Sequence, residues 1–298
     1  MDFVEQLVQQ LINGISLGSI YALIALGYTM VYGIIKLINF AHGDIYMVGA
    51  YIGFFCITVA NFSIIPALLI SMVVTGILGI VIVGVAYRPL LKIHAPRISL
   101  LITAIGVSFF LEYTSMYFVS PTPRTFPNVM ESVSPVNIGP FVINGQQLLI
   151  FAITVVLMVI LTYIVQRTKM GKAMRAVSFD SETAQLMGIN ANGVIAFTFA
   201  IGSALAAAAG VLVGVYYNSI DPLMGIMPGL KAFVAAVLGG IGSIPGAMTG
   251  GIILGVIEAL VSGFISSTFR DAAAFAILIL VLLFKPSGIF GKNTNEKV

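Results

Sequence analysis

Three short stretches of this chain have residue types that could do enzyme chemistry. Gly14-Ile15-Ser16-Leu17-Gly18 has the glycine spacing of a nucleophile elbow, but it lies in an apolar run rather than in the strand-turn-helix setting that exposes such a serine. The two histidines, His42 and His94, belong to no HExxH pair, so no zinc hydrolase site is predicted. The stretch 288–293 resembles half a phosphate loop with the wrong glycine spacing. The sequence therefore predicts no catalytic residue, no metal site and no cofactor bound by this chain.

Polar side chains inside apolar runs form a second group of candidates, because they are costly in lipid unless they are paired or face water. Asn39, His42 and Asp44 follow the first apolar run, and their spacing lets Asn39 and His42, but not Asp44, share a helix face. Either they line a translocation pathway, or they form a cytoplasmic turn in which Asp44 caps the second span. Glu112 and Glu258 lie in later apolar runs, and for each a buried structural hydrogen bond competes with a transport role.

The segment 171–190 is polar and partly basic, in contrast to the long apolar runs on both sides of it. Asp180 or Ser181 can cap a short helix whose first turn holds Glu182, and Gly188 can end that helix in a left-handed conformation. The pattern predicts a small, stiff helix offered to a soluble partner.

The elements that position these residues follow from composition. Of the 298 residues, 59% are hydrophobic and only 8% are charged, whereas a soluble domain carries roughly a quarter charged residues. A lipid bilayer is therefore the predicted surrounding. The net charge of +3 is too small to indicate a nucleic-acid partner, and the single Cys56 excludes an internal disulfide. The first ten residues lack the positive charge of a cleaved signal peptide, so we expect the first apolar run to be retained.

Apolar runs of about 20 residues predict membrane-spanning helices, because backbone groups in lipid must bond within their own segment. The runs are too long for the strands of a barrel. We predict an all-α polytopic membrane protein with about eight transmembrane helices, forming a single transmembrane domain over residues 1–298. The predicted spans are Leu11–Ile35, Ile45–Ala60, Ile64–Tyr87, Ile98–Ser120, Leu148–Val165, Val194–Tyr217, a broken region Leu230–Phe264, and Ala272–Phe284.

Lysine and arginine in short loops predict the orientation, because cytoplasmic loops are enriched in them. Two basic connections separated by two spans are predicted to be cytoplasmic, and their residues are Arg88, Lys92 and Arg97, then Arg167, Lys169, Lys172 and Arg175. The loop 121–147 has only Arg124 and is predicted to face outward, as is the N-terminus. The tail is predicted to lie inside, which requires an odd number of spans; its basic residues are Lys285, Lys292 and Lys297.

The number of times that the region near 230–264 crosses the membrane determines whether the total number of spans is odd. Gly242, Pro245 and Gly246 break the helical pattern here, as expected of a discontinuous or re-entrant segment. We predict a helical hairpin. The alternative is a single kinked span, which would place the tail outside.

A resemblance to a known family rests on several of these segments. Glu182-Thr183-Ala184 followed by Gly188 matches the EAA-x-x-x-G pattern of ABC importer permeases, with threonine in place of the middle alanine. The chain resembles the branched-chain amino-acid ABC permeases of the LivH type over nearly its full length, most clearly in the co-linear segments 37–44 (LINFAHGD), 171–177 (GKAMRAV) and 237–247 (VLGGIGSIPGA).

The resemblance implies that the loop 166–192, here named the coupling loop, binds an ATPase subunit. Ala184 would permit close approach, and Leu186 and Met187 would offer apolar contacts to a groove on that subunit. The residues assigned to coupling are Arg175, Glu182, Ala184, Leu186, Met187 and Gly188. The competing interpretation is a solvated amphipathic turn at the membrane surface.

The resemblance also implies an importer in the cytoplasmic membrane of a prokaryote. Its other parts would be two ATP-binding cassette subunits that bind ATP and Mg, a second related permease and an extracytoplasmic binding protein. We expect an external loop holding Asp221 and Lys231 to receive that binding protein. The implied substrates are leucine, isoleucine and valine, and we expect no dedicated charged site for them in this chain. The alternatives are a related permease for urea, amides or other amino acids, and an ion-coupled secondary transporter.

Overall fold

The computed structural model describes residues 3–93, 95–129 and 135–291, and these residues form a helical bundle. The predicted all-α polytopic class is confirmed. Within this part of the chain, seven helical stretches are long and apolar enough to cross a membrane: Phe3–Ile35, Ile64–Lys92, Arg97–Phe118, Gly145–Arg167, Ala191–Tyr217, Ile244–Phe264 and Ser267–Phe284. Two shorter helices, His42–Thr58 and Ile226–Gly239, pack among them.

In chain order the helices are α1 Phe3–Ile35, α2 His42–Thr58, α3 Ile64–Ile82, α4 Arg88–Lys92, α5 Arg97–Phe118, α6 Gly145–Arg167, α7 Lys169–Phe179, α8 Ser181–Leu186, α9 Ala191–Tyr217, α10 Ile226–Gly239, α11 Ile244–Phe264 and α12 Arg270–Phe284. A π-helical turn, Val83–Tyr87, joins α3 to α4, and a 3-10 turn, Ser267–Phe269, precedes α12.

The first helix begins eight residues before the predicted span. The polar side chains of its first turns are satisfied by protein and not by lipid: the Gln9 amide nitrogen donates to the Val142 carbonyl oxygen at 3.0 Å, and Gln6 donates to the Gly263 carbonyl oxygen at 3.4 Å. Hydropathy places these polar turns outside the predicted span because it takes no account of hydrogen bonds to other parts of the protein.

Glycines at four-residue spacing bring helix backbones into contact. A Cβ built on Gly255 of α11 would lie 2.2 Å from the backbone nitrogen of Gly18 on α1, and one built on Gly49 of α2 would lie 2.3 Å from the Cα of Ala207 on α9. No side chain fits at either position. Small residues are what allow helices to approach this closely in a membrane, where dispersion contacts replace the hydrophobic effect.

The region 226–264 is a helical hairpin, as predicted, and not one kinked span. α10 and α11 run antiparallel, since a Cβ on Gly250 would lie 2.1 Å from the Ala235 oxygen and one on Gly239 would lie 1.9 Å from the Gly246 oxygen. The chain reverses at Gly240 and Gly242, whose φ angles are 103° and 92°, a region that favours glycine.

The roles of the predicted break residues differ accordingly. Gly242 lies in the reversal itself. Pro245 occupies the first turn of α11, where its missing N–H costs nothing, and the Gly246 amide donates to the capping hydroxyl of Ser243 at 3.2 Å. Pro245 and Gly246 therefore begin the second helix of the hairpin and do not interrupt a helix.

Different segments of the chain lie at the two ends of the bundle. Following the predicted orientation, we name the end with the coupling loop the inner end. It also holds Gly242 and the described part of the tail, where the Ile289 and Phe290 amides donate to the Leu238 and Gly239 carbonyl oxygens, each at 2.9 Å. This shared end agrees with the predicted hairpin, while the assignment of that end to the cytoplasm stays a prediction. Lys292, Lys297 and His94 lie outside the described residues.

The outer end carries two short antiparallel strand pairs that the sequence reading did not predict. β1 (Arg124–Thr125) pairs with β4 (Ser219–Ile220), with Arg124 opposite Ile220. β2 (Val136–Ile138) pairs with β3 (Phe141–Ile143). The strands have two or three residues each, too short for an alternating pattern to register.

Candidate translocation cavity and coupling surface

The second helix begins inside the bundle because the chain turns back after α1. Lys36 ends α1 with a φ of 56°. His42, the first residue of α2, packs against the middle of the bundle, with its ring 4.6 Å from that of Tyr28 and its Nε2 atom 2.3 Å from where a Cβ on Gly27 would lie. Asn39 lies in the turn before α2 and accepts a hydrogen bond from the Tyr87 hydroxyl at 2.8 Å.

Two sequence expectations for this turn are wrong. Asn39 and His42 share no helix face, since Asn39 precedes the helix. Asp44 does not cap α2 either, because Ala41 holds the N-cap position without a side-chain bond and Asp44 lies in the first turn. The first amides of α2 are instead satisfied by the preceding turn, since the His42 amide donates to the Asn39 oxygen and the Asp44 amide to the Ala41 oxygen, each at 3.1 Å.

The N-terminal ends of α2 and α10 meet within the bundle. A Cβ on Gly43 would lie 2.4 Å from the Gly225 carbonyl oxygen, and one on Gly225 would lie 2.3 Å from the Gly43 carbonyl oxygen. Gly229 continues the contact, since its Cβ would lie 3.1 Å from the Gly43 Cα. A helix N-terminus carries partial positive charge, and two such ends meet in this region.

A cavity of about 270 Å³ opens at this junction between α2, α5 and α10. Its polar atoms come from Asp44, Glu112, Ser108 and Tyr28, and its apolar wall from Phe40, Ile105, Phe109, Ile226 and Leu230. Ser108 lies midway along α5. The cavity is therefore at the middle depth of a span and not at the membrane surface.

Two carboxyl groups, those of Asp44 and Glu112, line the same cavity. The Ser108 hydroxyl donates to Asp44 Oδ2. Asp44 and Glu112 are both buried, with 2% and 6% of their surface exposed. Within the described chain neither carboxylate has an ion pair. The expectation that the chain would hold no dedicated charged site for a free amino acid stays a prediction.

Glu258 belongs to a separate cluster that links four helices, in which Glu258 and Lys231 are buried and Asp271 is half exposed. Lys231 of α10 lies 3.0 Å from Glu258 Oε1 on α11 and 2.7 Å from Asp271 Oδ1 on α12. The Tyr21 hydroxyl of α1 donates to Glu258 Oε2 at 2.9 Å. The structure thus places Glu258 in a paired network and not in the cavity.

The prediction that Lys231 lies in an external loop is wrong. Pro228 occupies the first turn of α10, where proline is tolerated, so the helix already includes Lys231 and buries it to 5% exposure. Asp221 does lie in the connection before α10, where its Oδ1 accepts the Leu223 amide at 2.9 Å.

At the inner end, the coupling loop folds into α7 and α8. Asp180 caps α8, accepting the backbone amides of Glu182 at 2.9 Å and Thr183 at 3.0 Å and the Thr183 hydroxyl at 2.7 Å. These donors, the Thr183 hydroxyl first, lower the pKa of the Asp180 carboxyl. The sequence had left Asp180 and Ser181 as alternatives for this cap.

The predicted left-handed end of that helix is present at Gly188, with a φ of 84°. The Gly188 amide donates to the Gln185 oxygen at 2.9 Å and the Ile189 amide to the Ala184 oxygen at 3.0 Å. This pair of bonds is the Schellman arrangement, which satisfies the last carbonyls of a helix. A six-residue helix is thus closed at both ends.

The coupling loop presents a compact apolar surface to its surroundings. Leu186 and Met187 are 87% and 79% exposed, and Phe179, which the sequence reading did not select, is 95% exposed. Ala184 differs from expectation: it is buried at 5% exposure against its own chain, because it lies on the helix face opposite the exposed side chains. It is therefore not available for close approach of a partner.

Arg175 ties the loop to the bundle. Its guanidinium donates to the Val165 carbonyl oxygen. Together with Lys36 and Gly242 it lines a cleft of about 170 Å³ between α1, the coupling loop and the turn of the α10–α11 hairpin. The loop and the hairpin turn consequently share one surface at the inner end.

The bundle, its mid-depth cavity at two helix N-termini and its exposed apolar loop define a multi-pass membrane protein of the transport permease class. The chain belongs to the family described as the permease component of the branched-chain amino acid transport system, which matches residues 10–284.

Similar proteins support this membership. The chain is 46% identical over 302 residues to the high-affinity branched-chain amino acid transport system permease protein BraD of Pseudomonas aeruginosa, covering 98% of each chain. It is 46% identical over 311 residues to the LivH permease protein of the same kind of system in Salmonella typhimurium, covering 98% and 97%. The ribose import permease protein RbsC of Haemophilus influenzae is 25% identical over 92% of this chain and 84% of its own. No solved structure matches.

Proposed function

We propose that this chain is the membrane-spanning permease subunit of an importer for branched-chain amino acids in the cytoplasmic membrane of a prokaryote. The observation that carries the proposal is the 46% identity over 98% of the chain to permeases whose names give that transport system. The chain is a transport subunit and not an enzyme.

The proposed assembly contains two ATP-binding cassette subunits, a second related permease and an extracytoplasmic binding protein. The ATPase subunits would hold ATP and Mg, since this chain carries no complete phosphate-loop pattern. The exposed apolar surface of the coupling loop supports the ATPase contact, because three large apolar side chains next to a rigid, capped helix suit a groove on a soluble subunit. The remaining surface of the long helices is suited to lipid or to the second permease.

A second candidate function has one observation in its favour. The carboxyls of Asp44 and Glu112 are buried at the middle depth of a span, and buried carboxyls within a membrane often carry protons or cations in ion-coupled transporters. The two functions differ in their energy source. A related substrate, such as urea, an amide or another amino acid, is a matter of specificity within the first function.

The test is uptake by the complete importer in proteoliposomes with binding protein supplied outside. Radiolabelled leucine should accumulate only when ATP is enclosed, should be unaffected by collapsing ion gradients, and should exceed uptake of labelled urea. Uptake that follows an ion gradient and ignores ATP would contradict the importer proposal. Preference for urea would retain the importer and reject the substrate.

A further inference from the structure

We propose that the cavity between α2, α5 and α10 is a transient binding site for a free zwitterionic amino acid, whose ammonium group is held by Asp44 and Glu112 and whose carboxylate faces the N-termini of α2 and α10. The inference rests on the proposed function and adds a recognition site within the membrane to it.

The ammonium side of the site follows from the carboxyl pair. Asp44 and Glu112 are both buried, both line the cavity, and in the described chain have no cationic partner. Buried carboxylates are stable when paired with a positive charge, and a primary ammonium offers three donors. Ser108 donates to Asp44 Oδ2 and so fixes that carboxyl within the cavity.

The carboxylate side follows from the helix ends. Gly43 begins the first turn of α2, and Gly225 is the N-cap of α10; both line the cavity. The partial positive charge of a helix N-terminus favours a nearby anion, such as a carboxylate. These glycines let the two helix ends touch, because the space of each missing side chain is filled by backbone of the other helix, and both glycines leave backbone at the cavity wall.

The rest of the cavity suits an aliphatic side chain. Its wall is formed by apolar residues of α5 and α10 and by Phe40. The volume of about 270 Å³ accommodates one small amino acid and excludes a peptide. A molecule lacking either charged group would leave one side of the site unsatisfied, and unsatisfied buried polar groups carry a large free-energy cost.

A protection experiment on the complete importer tests this assignment. In a Cys56→Ala background, the substitution Ile105→Cys places a single reporter thiol of this chain on the cavity wall. The rate at which a small methanethiosulfonate reagent labels this chain is measured with L-leucine, with 4-methylpentanoate, which lacks the ammonium group, and with 3-methylbutylamine, which lacks the carboxylate. The same titrations are made with Asp44→Asn, Glu112→Gln and the matched control Asp221→Asn.

We expect L-leucine to slow labelling, and each analogue to require at least about tenfold higher concentration for the same protection, since each loses charge-assisted hydrogen bonds. Asp44→Asn and Glu112→Gln should each raise the protective leucine concentration at least about tenfold, while Asp221→Asn leaves it unchanged. Labelling at the parent rate without leucine shows that a variant has kept the cavity, and Glu112→Gln, which keeps shape, serves if Asp44→Asn fails to insert.

Several results would overturn the proposal. An importer that takes up leucine in an ATP-dependent manner but shows no leucine protection of the reporter has its site elsewhere. Equal protection by 4-methylpentanoate removes the role of the carboxyl pair, and equal protection by 3-methylbutylamine removes the role of the helix ends. Loss of ATP-dependent leucine uptake in the unmodified importer would instead reject the proposed function.

Discussion

Gly188 offers the sharpest test of the coupling loop, because its effect can be separated from packing. Its φ of 84° lies in the left-handed region, and a Cβ added there would meet nothing within 4 Å. A substitution therefore acts through backbone conformation alone. An L-residue in this region costs about 1–2 kcal/mol relative to glycine, and a β-branched side chain belongs at the upper end.

The expected effect is graded. With a tenfold change for every 1.4 kcal/mol, Gly188→Val should lower the equilibrium constant for forming the capped helix about 5- to 30-fold. Asparagine tolerates this conformation, so Gly188→Asn is the matched control and should retain most of the function. Gly188→Ala should fall between them. A six-residue helix has few other interactions to offset the loss.

The assay is leucine uptake by proteoliposomes, combined with co-purification of the ATPase subunits. Gly188→Val should insert normally but bind the ATPase weakly or fail to couple hydrolysis to uptake. Because the substituted side chain reaches empty space, equal and normal uptake for valine, alanine and asparagine would refute the claim that the left-handed end matters. Equal losses for all three would show that the position acts by some route other than backbone strain.

Three further predictions concern other parts of the chain. Lys231→Met leaves Glu258 buried without its cation and should lower the stability measured by thermal unfolding in detergent by about 3–5 kcal/mol, whereas adding Glu258→Leu should recover most of it; a double variant as unstable as the single one would contradict the pairing argument. Leu186→Lys should reduce ATPase co-purification without affecting insertion, and unchanged co-purification would remove this side chain from the interface. In a Cys56→Ala background, Lys285→Cys should react with an impermeant reagent only from the side on which the coupling loop reacts, and labelling from the opposite side would reject the shared inner end.

The sequence predicted the helices well because lipid leaves few options for the backbone. Runs of apolar residues must be helical to satisfy their own amides. The α10–α11 hairpin could be predicted from its glycines and from the odd number of spans that the basic loops and tail require. The cap at Asp180 and the end at Gly188 were also predictable, since both depend on residues within one turn of the helix they close.

The cavity could not be predicted from local patterns. Asp44 and Glu112 are 68 positions apart and meet only because α2 begins inside the bundle and packs beside α5. The pairing of Lys231 with Glu258 was missed for a similar reason: the nearby prolines indicated a loop, whereas Pro228 stands in the first turn of a helix. Phe179 gave a weak signal, a single aromatic residue next to the cap, whose 95% exposure requires the fold to be known.

The helix α10 spans the distance between the two regions that a transport cycle has to connect. Its first turn lines the cavity and its last residue adjoins the turn that shares a cleft with Arg175 of the coupling loop. Its fourteen residues of α-helix are about 21 Å long. Lys231 attaches this helix to α11 through Glu258 and to α12 through Asp271. A displacement of the hairpin turn at the inner end would therefore be carried along one helix to the cavity wall that faces Asp44 of α2 and Glu112 of α5.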